Sequence, residues 1–150
     1  MRRRYLALAL AGLLCVDRAG AQFAKPETAV RYRQSAMFLM GNQMQRINAQ
    51  LDYSKPNLDI VRGGAALLDV LKTVPFEAFI EGTDDVGDTA AKPEIWTETE
   101  RFKKLAGEMQ DRVGKLNDAA RSGDVAAIRA AFADAGKACK NCHDDYRRKR

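Results

Sequence analysis

The chain has 150 residues, 46% of them hydrophobic, with three cysteines and a single histidine, a length that suits one domain with a real core and is short for two. Its formal charge of +5 drops to +2 once the first twenty-one residues are set aside. The remaining lysines and arginines alternate with acids, which excludes a nucleic-acid surface, because that needs a concentrated basic stripe.

Residues 1–21 carry the three parts of a secretory signal: the basic start Met1-Arg2-Arg3-Arg4, the apolar run Tyr5 to Val16 and the small-x-small site Ala19-Gly20-Ala21. The apolar run is too short to span a bilayer as a helix. Cys15 follows Leu14, where a lipid-anchor signal would want a small residue. The expected mature chain begins at Gln22, after cleavage behind Ala21, and its single domain covers 22–150.

From there the periodicity is helical. After Pro26, apolar residues recur at Val30, Met37, Met40, Met44, Ile47 and Leu51, and Arg33 and Gln34 fill a gap in this stripe. A second helix is predicted from Leu58 to Val74, with Val61, Ala65, Leu68 and Leu71 inward and Pro75 as its stop. The stretch "FEAFIEGTDDVGDTAAKPEIW", rich in Gly, Asp and Thr, reads as a long ordered crossover. A third helix opens at Thr97, with Glu100 completing a capping box, and runs through Phe102, Leu105, Met109, Val113 and Leu116 to Ser122-Gly123. Asp124 caps the last helix, whose inner face is Val125, Ile128, Phe132, Ala135, Cys139, Cys142 and Tyr146. The expected fold is all-α, an antiparallel four-helix bundle with one longer crossover. The tail Arg147-Arg148-Lys149-Arg150 reads as a solvated helix end whose charge suits the carboxyl pole of the helix dipole.

Cys139-x-x-Cys142-His143 carries the chemistry. Two cysteines in an exported protein ordinarily pair as a disulfide, but this spacing points elsewhere. A zinc site draws four ligands, or three and a water, from two places in the chain, whereas here two Cys and one His lie within five residues. A redox dithiol needs its nucleophilic cysteine at a helix amino end behind a strand, whereas Cys139 lies some four turns into a helix. Covalent haem fits: thiols at i and i+3 on one face can add to the two vinyl groups of a porphyrin edge, and His143 brings an imidazole to the iron. Inward charges need a partner, and a haem propionate gives one to Arg33 and Gln34, one turn before Met37. The other reading of the gap is a slightly rotated helix with Arg33 snorkelling to water.

The segments "QFAKPETAVRYRQSAMFLMG", "AKPEIW" and "GKACKNCHDDYRRK" resemble, in the same order and over essentially the whole mature chain, the cytochrome c′ family, the class II c-type cytochromes of bacteria. The resemblance implies a periplasmic four-helix bundle that forms a homodimer. It implies one haem c per chain, joined covalently through Cys139 and Cys142, with His143 as axial ligand and the iron pentacoordinate and high-spin. Arg33 and Gln34 match a pair that contacts the propionates. Thr89 matches a further haem-contact position, and the next residue, often acidic in relatives, is Ala90 here. Met37 matches the side chain facing the vacant side of the iron; low-spin relatives use a methionine at about this position as sixth ligand, so the alternative is a His/Met electron carrier. An open iron behind an apolar side chain suits NO and CO. The expected function is therefore binding diatomic gases, carrying single electrons, or both, with Lys137 and Lys140 beside the haem edge. No nucleophile–base pair, paired carboxylates or phosphate loop is visible, so enzyme turnover is not expected; nor is a membrane anchor.

Overall fold

A computed structural model describes residues 23–149. The signal segment, its cleavage behind Ala21 and the lipid reading of Cys15 lie outside the described residues.

Helix α1 (Pro26–Leu51) starts with proline in its first turn, where the missing N–H has no intrahelical partner to lose. Helix α2 (Leu58–Leu71) is capped by Asn57, whose Oδ1 accepts from the Asp59 N–H at 3.0 Å and the Ile60 N–H at 3.4 Å. It stops three residues earlier than its periodicity predicts, and Pro75 sits instead inside a separate 3₁₀ helix, Val74–Ala78. A single turn, α3 (Glu94–Thr97), precedes α4 (Thr99–Ser122). Thr97 therefore opens no long helix. Its hydroxyl donates back to the Glu94 carbonyl at 3.3 Å, the backbone leaves helical geometry at Glu98 (φ −112°, ψ 41°), and Glu100 pairs with Lys103. Gly123, at φ 77°, ends α4 in the left-handed conformation that a side chain would strain. Asp124 caps α5 (Val125–Tyr146) by accepting from Ala126 and Ala127 at 2.9 and 3.2 Å.

The α1/α2, α2/α4 and α4/α5 sides of the bundle pack closely, whereas α1 and α5 approach least. Gly64 lets α1 and α2 meet: a Cβ there would stand 3.0 Å from Ile47 Cγ1. The core has two parts. Ile47, Val61, Leu68, Leu116 and Ile128 interlock with Met40 and Met109 in an aliphatic half, while Ile95, Phe102 and Tyr146 gather Phe76, Phe79, Trp96 and Cys142 into an aromatic half. Among the described residues no helix is long and apolar enough to cross a membrane.

The tail departs from the predicted helix end. Arg147 is extended and pairs with Ala91 in an isolated antiparallel bridge. The Lys92 N–H donates to the Tyr146 carbonyl at 3.0 Å, and the Arg148 N–H to the Ala90 carbonyl at 2.8 Å. Lys92 Nζ donates to the carbonyls of Asp144 and Asp145 at 3.2 and 2.8 Å, taking up two of the acceptors that a helix end leaves unpaired.

Candidate functional site

Cys139 and Cys142 lie one turn apart on α5, half-buried and unpaired as thiols. Cys139 packs against the aliphatic half and Cys142 against the aromatic half, so the motif sits at their junction. Burial pushes the Cys139 thiol up; burial, with Cys139 and Asp145 adding to it, pushes Cys142 to about 11. Both thiols are protonated at neutral pH, the reverse of an activated dithiol. His143 is exposed; desolvation and Arg147 hold its pKa below the ordinary imidazole value, against a smaller upward pull from Asp144. The ring is thus neutral at pH 7, with a nitrogen lone pair to offer a metal.

Arg33 stands on α1 and points into the crossover. It is 3% exposed, which rules out the snorkelling geometry. Its Nη1 donates to the Ala78 carbonyl at 3.0 Å and Thr83 Oγ1 at 2.8 Å, and its Nη2 to the Thr83 carbonyl at 2.6 Å and Thr89 Oγ1 at 3.0 Å. The guanidinium carbon lies 4.6 Å from the Phe79 ring centroid and 5.5 Å from that of Trp96. Gln34 Nε2 donates to the Asp88 carbonyl at 2.7 Å. The two residues that interrupt the apolar stripe therefore bind the crossover. All the hydrogen-bond partners of Arg33 are neutral oxygens, and among the described residues no carboxylate stands within salt-bridge distance of it. Burial lowers its pKa to about 10, and Asp84 offsets this only partly. A buried cation without a counter-charge is costly.

Met37, one turn beyond Arg33, is half-buried on α1, while Met40 is in the core and Met44 packs on it. Thr89 is buried, and its hydroxyl accepts from both Arg33 and the Ala91 N–H. Phe76, Phe79, Trp96 and Phe102, together with Lys103 and Gln110 of α4, line a cleft of about 340 Å³ whose walls include neither cysteine. A second hollow, of about 430 Å³, lies between α1 and α2 among Gln43, Arg46, Asp59 and Gly63 and touches neither cysteine.

The family model for cytochrome c′ matches residues 28–147. The chain belongs to the cytochrome c′ family. Cytochrome c′ of Alcaligenes xylosoxydans xylosoxydans is 42% identical over 130 residues, covering 86% of this chain and all of that protein. The crystal structure of cytochrome c′ from Rubrivivax gelatinosus superposes with a TM-score of 0.80 at 38% identity, over 84% of this chain and 99% of that one. A nitric oxide complex of a leucine-to-alanine variant of the Alcaligenes xylosoxidans protein superposes with a TM-score of 0.79 at 40% identity, over 86% and 100%.

Membership of the cytochrome c′ family implies haem c, and the donor set suits it. Two neighbouring thiols and a neutral imidazole share one helix, Cys142 packs against the aromatic half of the core, and a buried guanidinium is hydrogen-bonded only to neutral oxygens. Sequence reading did not reach Thr83, Phe79, Trp96 or Lys92. Thr83 is fully buried and holds Arg33, and the Trp96 Nε1–H donates to the Ile80 carbonyl at 3.0 Å, closing the crossover on itself. The aromatic spacing in "FEAF" and "EIW" is the one sequence trace of this wall.

Proposed function

We propose that the protein is a periplasmic c-type cytochrome, exported and cleaved behind Ala21, that carries one haem covalently attached through Cys139 and Cys142. The haem, when bound, supplies an iron that takes up a single electron or one diatomic ligand such as NO or CO. His143 is the axial ligand. Arg33 and Gln34 would serve a propionate, Thr89 would hold Arg33 for it, and Met37 would shield the iron. The carrying observation is the Cys139-x-x-Cys142-His143 turn itself, which sets two half-buried thiols and an exposed imidazole on one turn of α5, in a bundle that also buries Arg33 among neutral oxygens. The nitric oxide complex of the related Alcaligenes xylosoxidans variant supports gas binding. The role is ligand binding and electron carriage; the physiological redox partner is a separate question.

The functional test is the visible and EPR spectrum of the ferric and ferrous protein, with and without NO. High-spin ferric signals and ready NO uptake are expected. The second reading, a low-spin His/Met electron carrier, is favoured by the half-buried Met37 one turn from Arg33; it predicts a low-spin ferric spectrum that is lost in Met37→Ala.

A homodimer through α1 and α2 is part of the proposal. Phe38 on α1 and Val70 on α2 are 73% and 69% exposed, and Arg46 and Asp59 line the hollow between these helices with opposite charges, which a second copy can match. Light scattering should give twice the chain mass, reduced to one in Phe38→Glu; a wild-type monomer at micromolar concentration would refute the dimer.

A further inference from the structure

Tyr146 lies four residues after Cys142 and three after His143, so helical geometry sets it one turn from the attachment point. Its ring is 3% exposed, belongs to the cluster against which Cys142 packs, and meets Phe102 edge-on with centroids 5.4 Å apart. Its hydroxyl reaches the rim of the bundle and donates to Glu98 Oε2 at 2.9 Å. Glu98 is the residue at which the chain breaks helical geometry between α3 and α4, so the break sets this carboxylate opposite the phenol. Arg101 holds the arrangement from outside, with Nη1 3.3 Å from Glu98 Oε2 and Nη2 2.7 Å from Asp145 Oδ2. A buried tyrosine needs some hydrogen-bond partner, and a neutral carbonyl would suffice for packing. An ionised carboxylate does more, because it can take the phenolic proton.

We propose that Tyr146 and Glu98 form a proton-coupled one-electron donor that serves the haem when a hydroperoxide oxidises it. This rests on the covalent haem proposed above. A bound haem would supply two electrons to a hydroperoxide ROOH, which with two protons from solvent would give ROH and water as its O–O bond breaks. Tyr146 then returns one electron to the haem, its O–H bond breaks, and the proton passes to the Glu98 carboxylate, leaving a neutral phenoxyl radical. The second electron comes from the protein's external one-electron donor. Desolvation, with the hydrogen bond and charge of Glu98, pushes the Tyr146 pKa up to about 12. The phenol is therefore protonated at neutral pH, and its oxidation has to release a proton. Once oxidised it is a very strong acid, so even a carboxylate held by Arg101 accepts that proton. The shell Phe102, Phe79 and Trp96 keeps water from the ring side.

The test is freeze-quench EPR of the ferric holoprotein mixed with hydrogen peroxide, after denatured-protein mass has confirmed covalent haem. The expected result is a tyrosyl signal whose splitting collapses when ring-deuterated tyrosine is incorporated. Tyr146→Phe, which keeps the packing, should lose the signal and bleach its haem faster. Glu98→Gln, which keeps an acceptor but is a far weaker base, should delay the signal. A wild-type signal in Tyr146→Phe, a signal insensitive to tyrosine deuteration, or no protein radical in a haem that peroxide does oxidise would each overturn the inference and leave the haem assignment standing. Absence of covalent haem would overturn both.

Discussion

At one end of the bundle Ile47, Val61, Leu116 and Ile128 are fully buried against one another and carry no polar atom beyond their backbones. At the other end a guanidinium, two threonine hydroxyls and the half-buried Cys142 thiol are packed with five aromatic rings, and Cys139 stands at the junction of the two ends. The first end gains stability from apolar area and close packing. The second buries a charge that Asp84 offsets only in part and whose hydrogen-bond partners are all neutral oxygens. Residues whose placement is unfavourable for the chain alone are collected where a ligand would reward them.

The comparison can be broken by substitution. Leu116→Ala should cause the largest loss, about 3 kcal/mol, read as a lower Tm by circular dichroism with the spectrum per haem unchanged. A changed haem spectrum would mean that the two ends are not separate. Arg33→Met should cost less, about 1–2 kcal/mol, because removing the orphaned charge offsets part of the loss from abandoning the oxygens of Ala78, Thr83 and Thr89. Its signature is local: hydrogen exchange should quicken over residues 78–91 and stay slow around Ile47 and Leu116. Uniform quickening would contradict the division.

Lys92→Met removes both side-chain hydrogen bonds from the end of α5 and should cost about 1 kcal/mol. Exchange should accelerate at residues 144–148, behind the haem motif, while Tm barely moves. The last effect concerns pH. Tyr146 titrates near 12 in the folded chain against an ordinary value near 10. The folded state thus binds the proton more tightly, so the stability this adds is complete below pH 10 and is lost as pH rises toward 12. Phenolate absorbance should show one late-titrating tyrosine that shifts back toward 10 in Glu98→Gln.

The sequence made the sealed end legible and left much of the other end obscure. Leu68, Leu116 and Ile128 recur at helical spacing, and Asp124 and Gly123 mark helix boundaries by local chemistry alone. The cysteine motif and its inward face were legible for the same reason. Arg33 stood out as a break in periodicity, but its hydrogen-bond partners are 45 to 56 residues away in a segment with no period to read. Thr83 looks like an ordinary loop threonine until Arg33 reaches it. The predicted cap at Thr97 failed because Pro93 starts a separate turn and Glu98 interrupts the path, displacing the start of α4 to Thr99. The clip between residues 90–92 and 146–148 has no signature, since a two-residue pairing is too short for alternation to show.

The central claim is that Cys139 and Cys142 bind haem covalently, and the mass of the purified mature chain under denaturing, reducing conditions tests it most directly. The expected mass is that of the chain plus one haem, with the adduct on the peptide containing both cysteines and no covalent haem left in the double variant Cys139→Ala/Cys142→Ala. An unmodified mass, or haem retained covalently without either cysteine, would contradict it.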